Sequence, residues 1–213
     1  MKRKKLYAAL GFLAAFILWT VLVCLIDVQA IGPQDSRIGM ATVNGWFQRL
    51  TGVHMALYTV TDWLGLVPIG VVMAFALLGL IQCFSRKQLF LVDRSILILG
   101  GFYVIVMGAY LLFEELVINY RPVLIAGCLE SAYPSSTTLL ALCVMSTAML
   151  QLRSRIRRRW LRIAVLTVIT VFTAFMVIGR AVSGVHWLSD IIGGTLLSAG
   201  LVLFYDFTVH RFQ

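Results

Sequence analysis

Six long apolar stretches separated by short polar loops constrain this chain more than any other feature. They run over approximately Leu6–Ile26, Leu64–Phe84, Ser95–Leu116, Ser136–Leu152, Ile163–Ile178 and Leu188–Phe207. A helix needs roughly 20 apolar residues to cross a bilayer, and in hydrocarbon only helices and closed barrels satisfy their own backbone groups. Composition agrees: of 213 residues, 61% are hydrophobic and 13% charged, outside the usual range of soluble domains. The expected fold is all-α, a polytopic membrane six-helix bundle forming one domain over 1–213. Residues 27–63 are expected to be an outer loop, either carrying a short interfacial helix at Trp46 and Phe47 or packed as a loop over the bundle. Residues 64–207 form the expected core.

The net charge of +9 invites a nucleic-acid reading, but its distribution argues against that partner. Lys2, Arg3, Lys4 and Lys5 precede the first stretch. Arg86, Lys87 and Arg94 lie between the second and third. Arg153, Arg155, Arg157, Arg158, Arg159 and Arg162 lie between the fourth and fifth. These alternate loops fit the positive-inside rule, so both termini are expected to be cytoplasmic. The Arg cluster reads as a topology signal and a surface for anionic lipid. Val28-Gln29-Ala30 looks like a cleavage site, but the apolar run before it is longer than a signal core of about 7–15 residues. An uncleaved anchor is expected. Cys24, Cys83, Cys128 and Cys143 have no pairing or metal spacing, so neither a disulfide nor a zinc site is inferred. His54 reads as structural and His210 as solvated.

Three segments on the expected outer side hold nearly all the unusual polar residues. Glu114 to Pro122 ends the third stretch, and Pro122 should stop the helix and present Arg121. Arg suits phosphate because its planar fork of donors matches phosphate oxygens. Tyr133-Pro134-Ser135-Ser136-Thr137-Thr138 reads as a helix start, where free N–H groups and the dipole favour an anion. Gly179 to Asp190 opens the last stretch. His186 and Asp190, four apart, share one face of a helix, so the carboxylate can hold one imidazole nitrogen and leave the other free to attack. Ser183 is the expected cap of that helix, with His186 in its first turn, where the dipole disfavours imidazolium. Gly179 and Gly184 allow a bend that brings Arg180 round. Ionisable groups in a membrane protein point to function, here phosphoryl chemistry on a lipid at a membrane edge.

In order and spacing the three segments resemble the type 2 phosphatidic acid phosphatase superfamily of integral membrane lipid phosphatases. That family's pattern is K-x6-RP, then PSGH, then SR-x5-H-x3-D. Arg121-Pro122 matches the end of the first motif, and Pro134-Ser135 the start of the second. Arg180, His186 and Asp190 match the third at full spacing. The resemblance covers roughly Leu64 to Phe207. It implies that His186 attacks phosphorus to give a phosphohistidine and that Asp190 orients it. Arg121 and Arg180, with N–H groups near Ser135 and Ser136, would hold the phosphate oxygens. The chain departs from the pattern where the first-motif Lys falls on Glu114, the second-motif Gly on Ser136, the second-motif His on Thr137 and the third-motif Ser on Gly179.

Thr137 cannot efficiently protonate a leaving oxygen. General acid catalysis contributes roughly 10²–10⁴-fold, so the loss should be severe for a lipid alkoxide and milder for a diphosphate. Glu115, Tyr120, Glu130 and Tyr133 are alternative proton sources. Glu114 would repel a phosphate unless it pairs with an Arg or is protonated. The expected activity is hydrolysis of a polyprenyl diphosphate, phosphatidylglycerol phosphate or phosphatidic acid headgroup. It would occur on the outer face of a bacterial inner membrane, with no metal or other cofactor. The alternatives are a relative that binds lipid phosphate without efficient turnover, and an ordinary phosphatase into which Thr137 was introduced by substitution. A transporter would need a pair of broken spans, which the sequence lacks.

Overall fold

The computed structural model describes residues 2–86 and 91–212, so Lys87 lies outside the described residues. Among the described residues eight α-helices follow one another: α1 (Lys2–Leu25), α2 (Ala41–Thr51), α3 (Met55–Leu64), α4 (Leu66–Arg86), α5 (Arg94–Glu115), α6 (Ser136–Arg155), α7 (Arg159–Val182) and α8 (Leu188–Phe212). A two-stranded antiparallel ribbon, β1 (Gln29–Ala30) with β2 (Arg37–Ile38), interrupts the otherwise helical order. Each expected apolar stretch forms a helix. The second begins earlier than expected, because α3 continues into α4 through Gly65, which keeps helical φ −59 and ψ −20. Together α3 and α4 make a run of 32 residues.

Five helical runs are long and apolar enough to cross a membrane: Arg3–Leu25, Met55–Arg86, Arg94–Glu115, Arg159–Val182 and Leu188–Phe212. The chain is an integral membrane protein of helical architecture. The fourth expected span, α6, falls short by composition for a packing reason. It contacts α4, α5, α7 and α8. Its hydroxyls and amide face protein rather than lipid, as Thr147 Oγ1 to Tyr103 Oη at 3.2 Å and Gln151 Nε2 to Tyr205 Oη at 2.5 Å show. Polar side chains between helices replace apolar surface where no lipid is met.

Helix α8 packs mainly along α1 and α6. Close approach needs small residues there: a Cβ on Gly193 would lie 2.6 Å from Tyr133 Cε2. Tyr133 in turn packs on Phe16 and Phe113, and its hydroxyl meets Thr20 Oγ1 at 2.7 Å. This aromatic plug fixes the segment leading into α6. Helix α2 buries Ala41 and Asn44 and exposes Val43, Trp46 and Leu50 on one side. His54 joins this region to the α7–α8 connection, donating its backbone N–H to Ser183 O at 2.9 Å.

Candidate active site

The connection between α7 and α8 places the key imidazole. Ser183 closes α7, its N–H donating to Gly179 O at 2.8 Å, and does not cap α8. Gly184 follows with φ +70 and turns the chain. Helix α8 then starts at Leu188, with Trp187 N–H donating to Asp190 Oδ2 at 2.9 Å. A carboxylate in the first turn reaching back to the preceding N–H is half of a capping box. His186 therefore sits just ahead of the helix, not in its first turn. The positive-φ turn falls at Gly184 alone; Gly179 remains helical and lets α3 approach, a Cβ there lying 2.8 Å from Thr61 Cγ2.

His186 is 3% exposed. Its Nδ1 lies 3.2 Å from Ala132 O and 3.8 Å from Asp190 Oδ2. That geometry puts the proton on Nδ1, donated to the carbonyl, with the carboxylate close behind. Nε2 is buried and has no hydrogen-bond partner. Asp190 is fully buried, and its Oδ1 accepts from Asn119 Nδ2 at 3.3 Å and Ser189 Oγ at 3.4 Å. Asn44 of α2 extends the network: its Nδ2 donates to Ser189 Oγ at 2.9 Å and its Oδ1 accepts from Ser189 N–H at 3.0 Å.

Burial is the main influence on His186, with Arg121 and Arg180 acting in the same direction and Asp190 opposing them. Together they push its pKa from 6.5 down to about 4. The ring is thus neutral, with a free lone pair, at physiological pH. Because only the neutral ring can attack, kcat/KM should fall as pH drops through about 4. A pH–rate profile whose acid limb lay near 6.5, where an ordinary imidazole titrates, would contradict this environment.

Two guanidinium groups converge beside one ring. Arg180 Cζ lies 4.8 Å and Arg121 Cζ 5.9 Å from the centre of Tyr58 on α3. The Arg180 side chain is 2% exposed, and its Nη2 donates to Asp62 Oδ1 at 2.8 Å and Thr137 Oγ1 at 2.6 Å. Arg121 Nε stands 3.1 Å from Glu130 Oε2 without hydrogen-bond alignment. Among the described residues, six buried side-chain N or O atoms have no hydrogen-bond partner. Five of them are Nε and Nη1 of Arg121, Nε and Nη1 of Arg180, and Nε2 of His186. The four guanidinium nitrogens are buried donors, which are costly to leave unsatisfied.

The start of α6 contributes less than expected at one residue and more at the next. Ser135 N–H donates to Asp190 O at 3.1 Å, and Ser135 Oγ accepts from Thr138 N–H at 3.5 Å. The N–H of Ser135 is thereby engaged, while its hydroxyl acts as an acceptor within the helix start. Ser136 lines both neighbouring cavities, and the N–H groups of Ser136 and Thr137 open the helix without intrahelical partners. Glu114 is exposed and shares the smaller cavity, about 20 Å³, with Arg121, Ser136 and His186. The larger cavity, about 370 Å³, is mostly apolar and adds Asp62 and Thr137 to its lining. Of the alternative proton sources, Glu130 is paired with Arg121, Tyr133 is bonded to Thr20, and Glu115 is exposed.

Sequence reasoning missed Tyr58, Asp62, Asn44, Asn119 and Ser189. Asn119 sat within a segment already singled out, where an amide beside Tyr120-Arg121 was the available signal. Tyr58 and Asp62 carried none, since each meets its partner across more than 60 residues.

The sequence profile of the PAP2 superfamily matches residues 110–212. No curated protein sequence matches the chain. Among solved structures, the chain is similar to the crystal structure of a transmembrane PAP2 type phosphatidylglycerolphosphate phosphatase from Bacillus subtilis. The two are 20% identical over 97% of this chain and 96% of that one, with a TM-score of 0.52, a likeness of fold. The matched segment, residues 110–212, holds Arg121, Thr137, Arg180, His186 and Asp190.

Proposed function

We propose that this protein is a membrane lipid phosphatase or diphosphatase in which His186 receives the phosphoryl group. The observation that carries this reading is the set of five unpartnered nitrogens on Arg121, Arg180 and His186. His186 Nε2 attacks phosphorus, the bond to the leaving oxygen breaks, and water later hydrolyses the phosphohistidine. The two guanidiniums hold the non-bridging oxygens where charge develops. Nδ1–H stays on Ala132 O, and Asp190 offsets the positive charge that grows on the ring.

A lipid substrate suits the surroundings. The 370 Å³ cavity shares Val72 and Met107 with an apolar cavity of about 580 Å³ between α4 and α5. Together they offer a long tail a path away from the phosphate. The 20 Å³ cavity beside His186 holds about one water. A phosphoryl group therefore enters by parting Tyr110 and Ser136, the residues common to the small and middle cavities. The basic ends of α6 and α7 lie at the other end of the bundle. This supports a site on the outer face of the inner membrane.

Asp62 is the acidic side chain that shares Arg180 Nη2 with Thr137, the position where the second-motif His would stand. Among the acidic side chains it is the one set beside the missing His position, and it would relay a proton to the leaving oxygen. A diphosphate needs this help least, so polyprenyl diphosphate is the preferred substrate over phosphatidylglycerol phosphate and phosphatidic acid.

Phosphate release from these three lipids by purified protein tests the reading. The diphosphate should turn over fastest. Thr137→His should raise the monoester rates by roughly 10²-fold, and Asp62→Asn should lower them while sparing the diphosphate. No release from any lipid, with or without Thr137→His, would defeat the catalytic assignment. The Arg180–Asp62 and Arg180–Thr137 contacts favour a second reading, lipid phosphate binding without efficient turnover. Saturable binding with no release in either protein would establish it.

A further inference from the structure

The end of the bundle away from His186 holds a second polar cavity, of about 840 Å³, that the proposed chemistry does not use. It lies some 15 residues along α6 from Ser136, about 22 Å at the helical rise. Three fixed cations line it: Lys5 of α1, Arg153 of α6 and Arg162 of α7. The single carboxylate in the lining, Asp206, is already engaged by Lys5 Nζ at 2.5 Å and faces His210 Nδ1 at 3.0 Å. His210 is exposed, as expected of a solvated residue, with its Nδ1 lying beside Asp206. Arg155 beside the cavity is tied to Asp93 at 3.3 Å, whereas Arg153 and Arg162 have no ion-pair partner among the described residues. Gln151 and Tyr205 form a buried polar floor, joined at 2.5 Å. Leu150, Leu166 and Val209 add an apolar rim. Trp160, exposed two residues before Arg162, suits the boundary between hydrocarbon and water.

We propose that this cavity binds the phosphodiester headgroup of an anionic phospholipid from the leaflet at that end of the bundle. Arg153 and Arg162 take the phosphate oxygens, the Gln151–Tyr205 floor faces the headgroup alcohol, and the apolar rim meets the glycerol and first methylenes. A free phosphate would use the same two guanidiniums but gain nothing from the rim. The ligand is bound rather than hydrolysed: the imidazole in the lining, His210, is exposed and lacks the buried setting between protein groups that His186 has. The inference stands independently of the proposed activity.

Native mass spectrometry and thermal melting of the full chain in neutral detergent test it, with phosphatidylglycerol, phosphatidylcholine or inorganic phosphate added. Phosphatidylglycerol should bind and raise the melting temperature, and the other two should not. Arg153→Gln with Arg162→Gln should weaken phosphatidylglycerol binding about tenfold or more, because two charge-assisted hydrogen bonds are lost. Arg157→Gln with Arg158→Gln removes equal charge outside the cavity and should leave binding intact. Equal loss in both double variants would reduce the effect to general surface charge and overturn the site. Equal binding of phosphatidylcholine, or of inorganic phosphate alone, would overturn the ligand assignment. No phosphatidylglycerol binding by the unaltered chain would overturn both.

Discussion

Replacing His186 by alanine should abolish phosphate release, a fall on the order of 10⁴–10⁶-fold as for other catalytic nucleophiles. Among the described residues Nε2 is the one buried imidazole nitrogen without a partner, and the two guanidiniums that act on this ring carry orphan donors. Alanine removes that nitrogen and also the hydrogen bond to Ala132 O, so a companion variant separates chemistry from structure. His186→Asn retains a donor for the Ala132 carbonyl and offers no nucleophile at the Nε2 position. It should be as inactive as alanine while melting closer to the parent protein. Phosphate release by either variant within tenfold of the parent would exclude His186 as the nucleophile.

The second large effect is on the fold itself. Gly184→Ala should destabilise the protein by about 3 kcal/mol or more, read as a lower melting temperature in detergent. Two independent costs add there. The backbone holds φ +70, which an L side chain rarely adopts, and the new Cβ would lie 2.0 Å from the carbonyl oxygen of Gly52. That neighbour is backbone and cannot rotate away. The same joint carries Ser183 O, which accepts from His54 N–H at 2.9 Å, and it sets Arg180 and His186 on consecutive elements. Activity should fall along with stability. A variant melting at the parent temperature would show that the α7–α8 turn is not held as described.

The apolar runs were legible because lipid-facing helices carry their environment in composition, and α1, α4, α5, α7 and α8 formed where those runs lie. The third motif segment was legible because Arg180, His186 and Asp190 are local in sequence. What the local pattern could not convey was the exact register of the turn. Ser183 reads as an N-cap by residue type, but Gly184 ends α7 there, and Asp190 supplies the capping interaction from inside α8. The α3 contribution was hidden for a different reason. Tyr58 and Asp62 lie in the helical run Met55–Arg86, and only the packing of α3 on α7 brings them to Arg180. The Asn44–Ser189–Asn119 network behind Asp190 likewise spans up to 145 residues and leaves no periodic trace. The expected outer loop is thus tied into the carboxylate that backs His186, through Asn44 on α2.

The most direct test is to quench turnover of polyprenyl diphosphate and look for the phosphoryl group on the protein. The account predicts an acid-labile, alkali-stable adduct confined to the peptide that carries His186, formed and lost at rates compatible with turnover and absent in His186→Asn. An adduct on any other side chain, or sustained phosphate release by His186→Asn, would contradict it.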